Sequence, residues 1–121
     1  MTTFLLATTS VHVTAAAADY LQDRLDPAGD DRVVVVAVSE PDAPARDAGD
    51  ALNVARSRLA EFVPTTETRD GDPVEQLLAA IDDHDPDEVL LGAGGDGDGV
   101  GETASALIAR ADRPVVVVPL A

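Results

Sequence analysis

Short apolar runs alternate with stretches of helical periodicity along the whole chain. Segments with the length of a β-strand cover residues 4–8, 32–38, 63–69, 87–92 and 114–119, and all but 63–69 hold an apolar run. Residues 32–38 form a continuous β-branched run of the kind that is buried on both faces of a sheet. Residues 63–69 are polar enough for an edge strand. The pattern therefore predicts five strands, with the third at an edge of the sheet.

Apolar residues recur at helical spacing in the segments between these strands, and residues 11–25 and 101–111 are predicted helices. The third helix is expected to begin with Asp72 as N-cap and Pro73 in the first helical position. Residues 42–49 are rich in Pro, Ala and Asp and predict a loop. The side chains expected to face the sheet are Val13, Ala17, Leu21, Leu25, Leu52, Ala55, Leu59, Phe62, Val74, Leu77, Leu78, Ile81, Ala104, Leu107, Ile108 and Ala111.

The (βα)4β order predicts an α/β fold over residues 1–121, a single Rossmann-like domain. We expect an open parallel five-stranded sheet in the order 3-2-1-4-5, with helices on both faces and right-handed connections.

Acidic residues outnumber basic ones by 23 to 8, which gives a formal net charge of −15 at pH 7. The acids are spread along the chain, and every basic residue is an arginine. A dense carboxylate surface keeps a protein hydrated in concentrated salt, where repulsion is screened. We therefore expect adaptation to high salt, as in a halophile; the alternatives are an acidic binding surface or an acidic tail.

The same charge argues against binding to nucleic acid or an anionic membrane, because both require basic patches. The absence of lysine excludes a G-x-x-x-x-G-K phosphate loop and Schiff-base chemistry, and the absence of cysteine excludes disulfides and thiol chemistry. No apolar run approaches the roughly 20 residues that cross a bilayer, and the N-terminus does not resemble a signal peptide. We expect a cytoplasmic protein.

Catalytic side chains are not predicted. Ser10 and Thr14 are typical helix-start residues, and no His or Asp partner stands at a recognisable spacing from them. His84 is expected to be a solvated residue in the last turn of its helix, and His12 has no clear ligand role.

A glycine-rich loop, GAGGDGDGVG at residues 92–101, follows the fourth strand and holds six of the nine glycines. Loops of this kind bind phosphate, because their backbone N–H groups and the following helix N-terminus face the anion. Here Asp96, Asp98 and Glu102 would repel a polyphosphate. These acids lack the spacing of an EF-hand loop, so a metal site is not predicted either.

The order of the elements, the Gly-Asp-Pro that opens the third helix and the G-x-x-G after the fourth strand resemble the universal stress protein family. Residues 88–95 are similar to the family's strand that ends in G-x-x-G, and residues 101–118 are similar to its helix that runs into a Pro-led final strand. The resemblance covers the whole chain and implies a domain similar to the adenine-nucleotide alpha-hydrolases in fold. It implies a stress-response or regulatory function, with a ligand crevice at the carboxyl ends of the first and fourth strands.

ATP-binding members of the family carry an acidic residue after the first strand, and a longer spacer that leads from G-x-x-G to G-(S/T). This chain resembles them in Gly92 and Gly95 but departs at Thr9, which stands at the acidic position, and at Glu102, which replaces the hydroxyl residue after Gly101. The candidate nucleotide-binding residues implied by the resemblance are Thr8, Thr9, Val38, Leu91, Gly92, Gly95, Gly101, Glu102 and Thr103.

We expect a non-enzymatic stress-response or regulatory module with a degenerate nucleotide crevice and no cofactor. The alternative is an ATP-binding switch or slow ATPase that uses the same crevice. The final strand, with Val115, Val116, Val117 and Val118, is apolar on both faces and is expected at a sheet edge. We expect it to pair with a second copy of the chain, and the family resemblance implies an antiparallel homodimer.

Overall fold

The structure is a computed structural model that describes residues 2–8, 11–26, 29–39, 45–92 and 102–119, with the backbone alone for residues 11–13 and 45–47. Strands and helices alternate along the described chain. The elements are β1 (Thr3–Thr8), α1 (Val11–Arg24), β2 (Arg32–Ser39), α2 (Ala45–Arg58), a 3-10 helix (Ala60–Phe62), β3 (Thr65–Asp70), α3 (Pro73–His84), β4 (Glu88–Gly92), α4 (Glu102–Arg110) and β5 (Val115–Val118).

All five strands form one parallel sheet in the order β3-β2-β1-β4-β5. This confirms the predicted fold class and the edge position of β3. The central strand, β1, pairs Leu6 with Val35 of β2 on one side and with Leu90 of β4 on the other. All three side chains are fully buried, which explains why the middle strands are almost free of polar residues.

Helices cover both faces of the sheet and create two core layers. The first layer joins α1 and α2 to one face, and the second joins α3 and α4 to the other. Side chains of β1 alternate between them, so Leu6 packs in the first layer and Leu5 in the second. Each layer buries mostly Val, Leu, Ile and Ala, as expected from the low aromatic content.

The loop predicted over residues 42–49 is wrong from Ala45 onward, because α2 begins there. Ala48 is buried in the first core layer, so this segment gains packing that its Pro, Ala and Asp content does not reveal. Gly49 is accommodated within the helix, although glycine costs about 1 kcal/mol relative to alanine at such a position. Residues 40–44 lie outside the described part of the chain.

The connection between α2 and β3 also differs from the expectation. Helix α2 ends at Arg58, and the buried Leu59 and half-buried Phe62 follow it through the 3-10 helix. Strand β3 begins at Thr65, not at Val63. Val63 lies in the left-handed region, with φ 48° and ψ 64°, and is 84% exposed. A β-branched residue before a proline is strained in this conformation.

Replacing Val63 with asparagine should therefore stabilise the protein by about 0.5–1 kcal/mol, because asparagine tolerates the left-handed conformation better and little buried surface is lost. Urea unfolding in molar KCl would measure the change. The matched control is Val63→Ile, which keeps the β-branched side chain and should give no gain. A lower urea midpoint for the asparagine variant would show that this segment is not strained.

Helix α4 does not bury every side chain that its periodicity suggests. Ala104 and Leu107 are buried and Ala111 is half-buried, but Ile108 is 51% exposed, so its predicted inward position is wrong. The side of α4 that carries Ile108 is not covered by any element that the structure describes. Because β5 is an edge strand, the sheet does not extend far enough to cover a wider face of α4.

The turn between β3 and α3 follows the sequence prediction. The Asp72 side chain accepts a hydrogen bond of 3.0 Å from the Glu75 backbone N–H, and Pro73 occupies the first turn of the helix. Gly71, with φ 133°, donates its N–H to the Ser39 carbonyl oxygen at 3.1 Å. The positive φ requires glycine, so this residue fixes the path from the edge strand into the helix.

Candidate functional site

The strand order reverses between β1 and β4, which lie side by side in the middle of the sheet. In an open parallel sheet, the crevice beyond the carboxyl ends of such strands is the usual ligand site. The register brings Thr8, at the end of β1, opposite Ala37 of β2, and places Ala7 opposite Leu91 of β4. Thr8 and Gly92, the last residues of β1 and β4, therefore lie at the same level of the sheet, as predicted for the candidate crevice.

Two hydroxyl-bearing residues are buried beside this crevice. Thr8 is 1% exposed, and Thr14, in the first turns of α1, is fully buried. Val13 is the residue of this turn that was predicted to face the sheet, and its side chain lies outside the described part. Thr14 has helical spacing with Ala17 and Leu21, both buried, and this spacing was the available signal for its burial.

The structure describes the residues that flank the glycine-rich loop, where the family resemblance places the phosphates. Leu91 and Gly92 are buried where β4 finishes, and Glu102 begins α4 as an exposed acid, with Thr103 half-buried behind it. The negative charge of Glu102 complements the partial positive charge of the helix N-terminus. The same charge opposes any anion that approaches these backbone N–H groups.

The remaining predicted site residues in this region lie outside the described ranges. They are Thr9, Gly95 and Gly101. Asp96 and Asp98 of the glycine-rich loop fall in the same gap. Among the described residues, no group of three or more His, Asp or Glu side chains is arranged to hold a metal ion.

Val38 is buried near the carboxyl end of β2, as expected for a residue of an apolar strand. Its partner in register on β3 is Arg69. Arg69 hydrogen-bonds to Glu67 at 3.1 Å and to Asp83 at 2.6 Å. Its guanidinium is thus already paired and would have to break these contacts to reach a phosphate.

The acid in this cluster is held in its charged form. The hydrogen bond from Arg69 is the main cause that lowers the pKa of Glu67 below its usual value; burial opposes the shift, and His84 adds to it. The Nε2 atom of His84 lies 3.1 Å from Glu67. His84 lies in the last turn of α3, as predicted, but it is not fully solvated: its side chain is 27% exposed and its ring contacts Glu67 of β3.

Residues 6–119 match the universal stress protein family. The chain belongs to this family. The match spans both ends of the candidate crevice and includes the second half of β1, from Leu6, and all of β5. The resemblance noted in the sequence is thus confirmed at the level of the family.

Solved structures with the same fold extend over the whole chain. The hypothetical protein MJ0577 superposes with a TM-score of 0.82 at 14% identity, over 98% of this chain and 95% of the other. A universal stress protein in complex with cAMP gives 0.75 at 18% identity, over 99% and 98%. A universal stress protein family protein from Arabidopsis thaliana with AMP bound gives 0.72 at 16% identity, over 100% and 93%.

Two further findings concern sequence relatives and membrane spans. No curated protein matches this universal stress protein significantly by sequence. Within the ranges that the structure describes, none of the helices is both long and apolar enough to span a membrane.

Proposed function

We propose that this universal stress protein is a non-enzymatic stress-response or regulatory module whose crevice disfavours nucleoside polyphosphates. The main support is Glu102, an exposed acid in the first turn of α4. ATP-binding members of the family have a hydroxyl residue at the position that this acid resembles. A carboxylate here competes with phosphate for the positive end of the helix. Arg69, which is in register with Val38, is already paired with Glu67 and Asp83.

The alternative function is a nucleotide-dependent switch or slow ATPase at the same crevice. Two proteins with this fold carry cAMP and AMP, and both ligands have a single phosphate group. A monophosphate brings less negative charge toward Glu102 than ATP does, so the repulsion would be smaller. Burial of Val38 and Gly92 at the carboxyl edge is compatible with a nucleotide in this crevice.

Titration calorimetry with ATP and Mg²⁺ in molar KCl should give weak binding or none for the parent protein. Glu102→Ser should raise the nucleotide affinity about two- to fivefold, because one acid leaves the first turn of the helix. The matched control is Glu75→Ser, which removes an acid from the first turn of α3 and should leave nucleotide affinity unchanged. A micromolar dissociation constant for ATP with the parent would favour the switch or ATPase instead.

We also infer that the protein works as a homodimer through β5, in the cytoplasm of a cell with concentrated salt. Support for the dimer comes from Val115, Val116 and Val117, which stay only half-buried although all three contact the core layers. Support for the salt requirement comes from the net charge of −15. Screening by salt would allow two such acidic chains to approach each other.

A further inference from the structure

A groove of about 480 Å³ runs between α3 and α4, on the sheet face opposite α1 and α2. Its floor is apolar and consists of Leu78, Ala79, Ile81 and Ala111. Ala79 is exposed, and Leu78 and Ala111 are only half-buried, so the fold leaves this floor partly uncovered. Volumes of this size accommodate a ligand or several side chains of a partner.

Charge along the groove follows a simple pattern on α3. Glu75, Leu78, Ala79 and Asp82 have the spacing of a single helical stripe, with an acid at each end and apolar side chains between them. The two acids stand about two turns apart, or about 10 Å along the helix axis. A compact cation could contact only one of them at a time, whereas a helix with basic residues at the same spacing could contact both.

The two ends of the stripe are not equivalent. Arg110 of α4 reaches Glu75 at 3.1 Å across the groove, and both side chains are more than half exposed. Asp82 makes no ion pair with any residue that the structure describes. Asp112 also lines the groove, but it is paired with Arg113 at 3.0 Å. An exposed pair such as Arg110–Glu75 is weak and can be displaced by a better-placed basic residue.

We propose that this α3–α4 groove binds the apolar and basic face of an amphipathic helix from another protein. A basic partner fits the chemistry, because acids border an apolar floor and the whole chain carries a net charge of −15. A second copy of this chain, with 23 acids and eight arginines, would offer these acids few cations to pair with. Nucleic acid and anionic lipid are disfavoured for the same reason. Helix-in-groove recognition of this type anchors apolar residues at helical spacing and uses charge at the rim for orientation.

A labelled synthetic peptide tests the proposal by fluorescence anisotropy, in enough KCl to keep the protein folded. The probe is an alanine-rich helix of about 18 residues, long enough to be helical, with two lysines about two turns apart and leucines between them. Asp82→Asn should weaken binding about two- to fivefold, as expected for one exposed ion pair. The matched control is Asp50→Asn on α2, which removes the same charge from the other sheet face and should have no effect.

Two further variants distinguish binding in the groove from a general attraction between opposite charges. Ala79→Glu places a larger side chain on the groove floor and also adds a negative charge. If the peptide binds in the groove, this variant should bind it more than about tenfold more weakly. If the peptide is held only by attraction between opposite charges, the added negative charge should strengthen binding. Arg110→Ala frees Glu75 and should strengthen binding about two- to fivefold.

The proposal is overturned if the peptide does not bind, if Ala79→Glu binds as tightly as the parent, or if Asp50→Asn weakens binding as much as Asp82→Asn does. Tighter binding by Ala79→Glu would have the same meaning, because it would show a diffuse attraction to the acidic surface. A peptide with glutamate in place of both lysines should not bind, and equal binding of the two peptides would also contradict the proposal.

Discussion

Replacing Val116 with aspartate should reduce the particle in molar KCl from about twice the 12.4 kDa chain mass to about one chain mass. Val116 packs against the first core layer but stays half-buried, because its strand lies at the edge of the sheet. Pairing of β5 with a second copy would cover the exposed part of this side chain. An aspartate would then be buried without a partner, twice in a symmetric dimer, at a cost of several kcal/mol per charge. Light scattering after size-exclusion chromatography measures the mass.

Val63→Asp is the matched control for this experiment. It makes the same chemical change at an 84% exposed valine that precedes β3, at the other edge of the sheet. The control should keep the mass of the parent. Far-ultraviolet circular dichroism must show that the Val116 variant is folded, so that loss of the dimer is not loss of the fold. A parent that already runs as a single chain would contradict the proposed dimer.

Four of the five strands could be predicted from the sequence because each is marked by an apolar run of strand length. The third strand could be predicted as an edge strand because its segment is polar. Residues 32–38 are almost uniformly β-branched, and the structure places Val33 to Val38 in the buried part of β2. The boundaries of α2 could not be predicted in the same way. Ala48 becomes a core residue only through packing against other elements, and alanine is too small to give a clear hydrophobic pattern in a segment rich in Asp.

The candidate site could be located in the sequence more easily than its chemistry could. Glycine content and strand order predict a crevice beside β1 and β4, and the described ends of both strands agree with it. The burial of Thr14 and the pairing of His84 with Glu67 depend on how helices pack across the sheet. Long-range contacts of this kind leave no local signal except the helical spacing of Thr14 with Ala17.

Arginine side chains connect the elements of this acidic protein. Among the residues that the structure describes, four arginine pairs join different elements: Arg24 with Glu88, Arg58 with Asp19, Arg69 with Asp83, and Arg110 with Glu75. Arg113 adds contacts with Asp85 and with the carbonyl oxygen of Pro86. Salt weakens exposed ion pairs of this kind, each worth about 0–1 kcal/mol. Salt also screens the repulsion among the remaining carboxylates, so the two effects oppose each other.

Repulsion should be the larger effect, and lowering KCl from molar to millimolar should destabilise the fold by several kcal/mol. Two like charges about 20 Å apart repel by about 0.2 kcal/mol in water. A net charge of −15 corresponds to on the order of 100 such pairs within a domain whose radius of gyration is about 14 Å. The screening length is about 3 Å at 1 M salt and about 30 Å at 0.01 M, so repulsion that is local in molar KCl acts across the whole molecule in dilute salt.

The midpoint of urea unfolding, followed by circular dichroism across this KCl range, measures the effect. Screening predicts that most of the gain occurs below about 0.5 M, because the screening length is by then shorter than the distance between most surface charges. Strengthened hydrophobic burial would instead continue to rise at higher concentrations, and sucrose, which is uncharged, would reproduce it. A midpoint that stays constant, or one that falls as KCl is added, would mean that the arginine pairs outweigh the unpaired acids. The salt requirement inferred from the composition would then be wrong.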